Sequence, residues 1–144
     1  MIVLDTTVLV YAVGAQHRMA EPCRRLIESI GEGRVTATTT PEVIQEFVHV
    51  RARRRARGDA VALGRAYAEL LSPLMVIDAR ALTDGLGAFA RSKKIGAFDA
   101  VLAATALLAE AEAIVSADAA FAEVRGLTHW DPAGAELKRV LAVE

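Results

Sequence analysis

Cysteine occurs once in this chain, at position 23, which excludes an internal disulfide and a cysteine-rich zinc site. Cys23 shares a helical stripe with Met19, Leu26, Ile27 and Ile30, so core packing is its expected role. Aromatic residues make up only 5% against 53% hydrophobic, so the core must be built from Ala, Leu, Val and Ile, and disorder is excluded. The same scarcity leaves no evident aromatic platform for stacking bases. Neither sign of charge dominates: the net charge is −1, so a nucleic acid would be held by a local basic face and not by the field of the whole molecule. Long apolar runs are missing too. Asp5 interrupts the N-terminal one, which has no basic leader, and the run Ala100 to Ala109 is too short to span a bilayer. A cytoplasmic protein with no membrane association is expected. With 144 residues, no repeat and no linker, a single domain over 1–144 is predicted.

Strand-like and helix-like runs alternate. Ile2 to Leu4, Val35 to Thr38, Met75 to Ile77, Ile114 to Ser116 and Leu127 to Trp130 read as strands, all but one expected to be parallel. Leu63, Tyr67, Leu70 and Leu71 form one helical stripe and Leu82, Leu86 and Phe89 another, each expected to cover a sheet face. Thr40 and Pro41 read as the N-cap and first residue of a helix, and Pro22 sits near the start of another. The implied fold class is α/β, a three-layer α/β/α domain with a mostly parallel central sheet.

Carboxylates mark the candidate site. Asp5 follows the first strand-like run and Asp118 a later one, where the strand ends of a parallel sheet open into a crevice. Asp99 begins a helix that is apolar all round; as a helix cap or first-turn acid it needs no function, whereas as a third hard oxygen donor it suits a Mg²⁺ or Mn²⁺ site. A fourth acid is sought on the helix after Thr40. Val43, Ile44, Phe47, Val48 and Val50 form its buried arc, which Glu46 borders, while Glu42, Gln45 and His49 point toward solvent. Asp78 also follows a strand-like run and stays a rival. His17, His49 and His129 lack zinc spacing and read as surface or loop residues.

Together, Asp5-Thr6-Thr7, the Glu of Val43-Ile44-Gln45-Glu46-Phe47, the helix start Ala97-Phe98-Asp99-Ala100 and Ser116-Ala117-Asp118-Ala119-Ala120-Phe121 resemble the PIN-domain ribonucleases, and among them the VapC toxins. The likeness runs from Met1 to about Pro132 with the motifs in family order. It implies a catalytic quartet of Asp5, Glu46, Asp99 and Asp118, with Asp5, Asp99 and Asp118 as metal ligands and Thr6, Thr7 and Ser116 as polar supports. It gives Asp78 no role. An RNA substrate, Mg²⁺ or Mn²⁺, a VapB-type antitoxin and a homodimer are likewise what the resemblance implies.

Basic residues near the acids are candidates for gripping phosphates: Arg51, Arg54 and Arg55, which extend the helix of Glu46, and Lys93 and Lys94 ahead of Asp99. Either group also reads as a solvated helix end. Two other functions compete. One is a PIN-like RNA-binding module that does not cut. The other is phosphoryl transfer through Asp5, which generally needs a second acid two residues on, where this chain has Thr7.

Overall fold

Short apolar, β-branched segments flanked by cap residues become the strands. In the computed structural model, which describes residues 1–142, they are β1 (Ile2–Leu4), β2 (Ala37–Thr38), β3 (Ala113–Val115) and β4 (His129–Trp130). All four are parallel, in the order β2-β1-β3-β4. The chain therefore leaves β1 for β2 on one side and returns to β3 on the other, so the order reverses between β1 and β3. A crevice at the C-terminal strand ends follows from that reversal. Val3, Leu4, Ile114 and Val115 are fully buried, as central parallel strands covered on both faces must be.

The helices are α1 (Thr6–Val13), α2 (Ala20–Gly31), α3 (Pro41–Ala52), α4 (Arg57–Leu70), α5 (Ala79–Arg91), α6 (Ala97–Leu108) and α7 (Ala135–Ala142). They flank the sheet in a three-layer α/β/α arrangement. Thr40 caps α3, accepting from the Val43 N–H at 3.3 Å, and Pro41 opens it where a missing N–H costs nothing. Cys23 lies buried on the α2 stripe with Met19 and Leu26, and burial, then Asp131, pushes its thiol up to about 12, so it is an inert packing group. No helix among the described residues is long and apolar enough to cross a membrane.

Two expectations fail. Met75 to Ile77 is not a strand: Met75 donates one backbone hydrogen bond to Thr39 (2.9 Å), but Val76 stands 78% exposed and no ladder forms. The stripe Leu82, Leu86 and Phe89 covers no sheet face either, being 44–48% exposed. Helix α5 instead turns Ala81, Gly85 and Ala88 toward its neighbours. A Cβ at Gly85 would lie 2.5 Å from the Cα of Val101, so α5 and α6 approach more closely than any larger residue permits. Close backbone packing of small residues has outcompeted burial of the large ones.

Candidate active site

The C-terminal ends of β1 and β3 sit side by side, and their polar followers form one hydrogen-bonded frame. Asp5 donates its backbone N–H to the Val115 carbonyl (3.1 Å) and then caps α1. Its Oδ2 accepts from the Ser116 hydroxyl (2.7 Å), the Thr7 hydroxyl (2.9 Å) and the Thr7 N–H (3.4 Å). Ser116 Oγ also accepts from the Asp118 N–H at 2.9 Å, linking the two strand-end acids. Asp118 in turn caps the short 3₁₀ turn Ala119–Glu123 through Oδ1. Asp5 is only 3% exposed, and this frame satisfies the polar groups that its burial removes from water.

The opposing acids come from helices. Glu46 on α3 accepts from the Thr6 hydroxyl at 2.9 Å. Asp99 is the third residue of α6; Gly96, not Asp99, is the N-cap. Burial first, then the charges of Asp5, Glu46 and Asp118, push its carboxyl up to about 7. Its first-turn position favours the anion, and that effect is outweighed. The four carboxylates line one cleft of about 230 Å³ with Thr6, Thr7, Val10, Tyr11 and Val50. Among the described residues no three acids close to the distance that would cage a bare ion.

The rival acids have other work. Asp78 caps α5, accepting from the Ala81 N–H at 2.8 Å. Glu42 is half-buried and lies outside the acid cleft, whereas Glu46 is exposed, the reverse of the expected exposure. The cleft is itself open to solvent, so facing it and facing water coincide at position 46. Glu42 Oε2 is buried with no hydrogen-bond partner.

Basic residues divide similarly. Arg51 is tied down, pairing with Asp59 on α4 (2.7 Å) and donating to the Val13 carbonyl (3.1 Å), so it braces three helices. Arg54 and Arg55 are exposed and line, with Arg51, a cleft of about 150 Å³ that shares Val10 and Val50 with the acid cleft. Lys93 and Lys94 stand exposed before α6, Lys94 at 3.9 Å from Glu123.

Two features escaped the sequence reading. His129 is neither loop nor free surface; it sits on β4 with Nε2 2.8 Å from the Ser116 carbonyl, bracing the segment that links Asp5 and Asp118. The strand read over Leu127 to Trp130 already contained it; its contact with Ser116 is what that run does not announce. Tyr11 borders the acids with its ring stacked on His17 (centroids 4.7 Å apart, planes 22° apart), a contact across a turn that spacing does not announce.

The PIN domain model matches residues 2–127. Ribonuclease VapC7 of Mycobacterium tuberculosis (strain ATCC 25618 / H37Rv) is 54% identical over 112 residues, 77% of each chain. Among solved structures, FitAB bound to an IR36 DNA fragment superposes with a TM-score of 0.73 at 17% identity, covering 93% of this chain and 96% of that one. VapBC2 from Rickettsia felis, bound to a DNA fragment from their promoter, gives 0.69 at 16% identity, covering 91% and 98%. These two likenesses establish the fold.

Proposed function

The chain belongs to the PIN-domain family as a VapC-type member, and from that premise we propose that it is a divalent-metal-dependent endoribonuclease, the toxin of a VapB–VapC-type pair. One domain over residues 1–144 carries the activity. The observation behind this reading is the convergence of Asp5, Glu46, Asp99 and Asp118 on one cleft, with Asp99 held far from its usual ionisation by the other three and by burial.

Such a cluster is uncompensated without a cation. Every candidate donor is a hard carboxylate oxygen, the chemistry of Mg²⁺ or Mn²⁺, and Asp5, Asp99 and Asp118 would hold the ion. When bound, the ion supplies neutralising charge, a more acidic water and stabilisation of the departing oxygen. The remaining work falls to the chain. Thr7 and Ser116 occupy Oδ2 of Asp5 and so aim the carboxylate's other oxygen, which takes no protein donor among the described residues, into the cleft. Thr6 steadies Glu46, whose second oxygen accepts a hydrogen bond from the attacking water and orients it toward phosphorus. Arg54 and Arg55, which line one cleft with Arg51, hold the phosphate chain as it enters, with Lys93 and Lys94 ahead of α6 as further candidates.

Kinship with VapC-type proteins supports an inhibitory VapB-type antitoxin as partner. The exposed face of Leu82, Leu86 and Phe89 supports a homodimer, since apolar side chains exposed along one helix face favour a protein contact. The test is incubation of single-stranded RNA with purified protein and Mg²⁺ or Mn²⁺. Cleavage that stops with chelator is the expected result; tight RNA binding with no cleavage under either ion would favour the non-cutting module.

A further inference from the structure

Among the described residues Tyr11 is the one aromatic lining the acid cleft. It is half-buried, unlike Phe47, Phe121, Tyr67 and Trp130, which belong to the core. Its ring stacks on the exposed His17, within the separation at which aromatic rings attract. This pair is held in place on both sides. His17 Nδ1 accepts from the Met19 N–H at 3.2 Å, which fixes the imidazole plane. Arg24 on α2 donates to the carbonyls of Ala12 and Gly14, both at 3.2 Å, which fixes the turn between the two rings. A rigid aromatic pair beside a phosphodiester-cutting site loses little entropy on receiving a planar ligand.

The surroundings say what that ligand is. The carboxylates that line this cleft with Tyr11 repel a phosphate chain unless a cation intervenes. The acid cleft shares Val10 and Val50 with the cleft carrying Arg54 and Arg55. A strand whose backbone passes from these arginines to the acids enters the cleft that Tyr11 lines. We propose that Tyr11, backed by His17, is the stacking platform for an unpaired nucleobase next to the phosphate being cut. Stacking needs a splayed, single-stranded base, so the pair selects unpaired RNA over duplex and tolerates several base identities. The inference deepens the ribonuclease reading and rests on it.

The experiment measures binding of a short single-stranded RNA carrying 2-aminopurine, with Ca²⁺ in place of Mg²⁺, and cleavage of the same RNA with Mg²⁺. Tyr11→Ala is expected to weaken binding about tenfold or more, on the scale of one lost base–aromatic stack, and to abolish the fluorescence quenching. Tyr11→Phe should retain both, and His17→Ala, at an exposed position, should lose part of each. Binding of duplex RNA should be unchanged throughout. Thermal melts identify a Tyr11→Ala protein that fails to fold, in which case Tyr11→Phe and His17→Ala decide. If wild type cuts RNA but the variants bind and quench as it does, the platform is wrong and the nuclease reading survives. Loss of binding in Tyr11→Phe as great as in Tyr11→Ala would show that the hydroxyl acts, and would overturn stacking. A wild type that neither binds nor cuts RNA would instead sink the nuclease reading itself.

Discussion

The two walls of the acid cleft are built on different principles. On the strand-end wall, Asp5 accepts from three donors and Asp118 from one, and both cap the turn that follows them. On the helix wall, Glu46 has a single hydroxyl donor, and the Asp99 carboxylate accepts no hydrogen bond among the described residues. The first wall thus serves folding. Asp99 gains only from the first-turn helix dipole, and carries an electrostatic cost from burial and from three like charges that outweighs it.

The largest effect should be catalytic. Asn at Asp5, Asp99 or Asp118 removes a charge that a bound cation needs, so RNA cleavage should fall by at least about a hundredfold in each case. Near-wild-type turnover in Asp99→Asn would erase the distinction between the walls. Next comes the pair on α3: Glu46→Gln should lose about a hundredfold in rate, whereas Glu42→Gln, outside the cleft, should stay within about threefold. The opposite ranking would mean that the orphaned oxygen of Glu42 belongs to the site.

Stability should separate the walls by sign. Asp5→Ala leaves the Ser116 and Thr7 donors unpaired and removes a cap, which costs about 2 kcal/mol and lowers the melting temperature by roughly 4–8 °C. Asp99→Asn in metal-free protein should raise it by a few degrees, because Gly96 and not Asp99 occupies the capping position. Added Mn²⁺ should then stabilise wild type more than the Asp99 variant, as a ligand of the folded state does.

The pH dependence is a smaller effect with a definite direction. The Asp99 carboxyl titrates near 7 when folded and near the ordinary carboxylate value when unfolded, so between these the folded state binds the extra proton. Its contribution therefore declines as pH rises from about 4 to 7, opposite to a salt-bridged aspartate, and a melt series of wild type against Asp99→Asn should show it. Mn²⁺ affinity should climb over the same interval, since the ion requires the carboxylate. Smallest for the isolated chain is Leu86→Glu, which should leave the melting temperature within about 2 °C, the site being exposed, yet reduce the mass found by light scattering if α5 joins two copies.

Much of this was legible in the residue order. Short continuous apolar runs located β1 and β3, which are buried on both faces, and period-3.6 apolar patterns with their caps located α2 and α3, which are buried on one. An acid directly after an apolar run made Asp5 and Asp118 candidates for the cleft they line, but position alone did not separate them from Asp78, which caps α5 instead. Glu46 followed from its place beside the buried arc, although its exposure relative to Glu42 did not. What only the tertiary structure decided were matters of which neighbour wins. Helix α5 presents Ala81, Gly85 and Ala88 to its neighbours and leaves Leu82, Leu86 and Phe89 outside, because two backbones in near contact exclude large side chains. Met75 meets one residue beyond β2 and pairs no further. Tyr11 meets His17 across a turn that Arg24 holds. The sequence by itself determined local periodicity and the chemistry at each position; contacts between distant segments decided which side chains share a face, a cleft or a charge, since packing is a property of pairs that no single stretch contains.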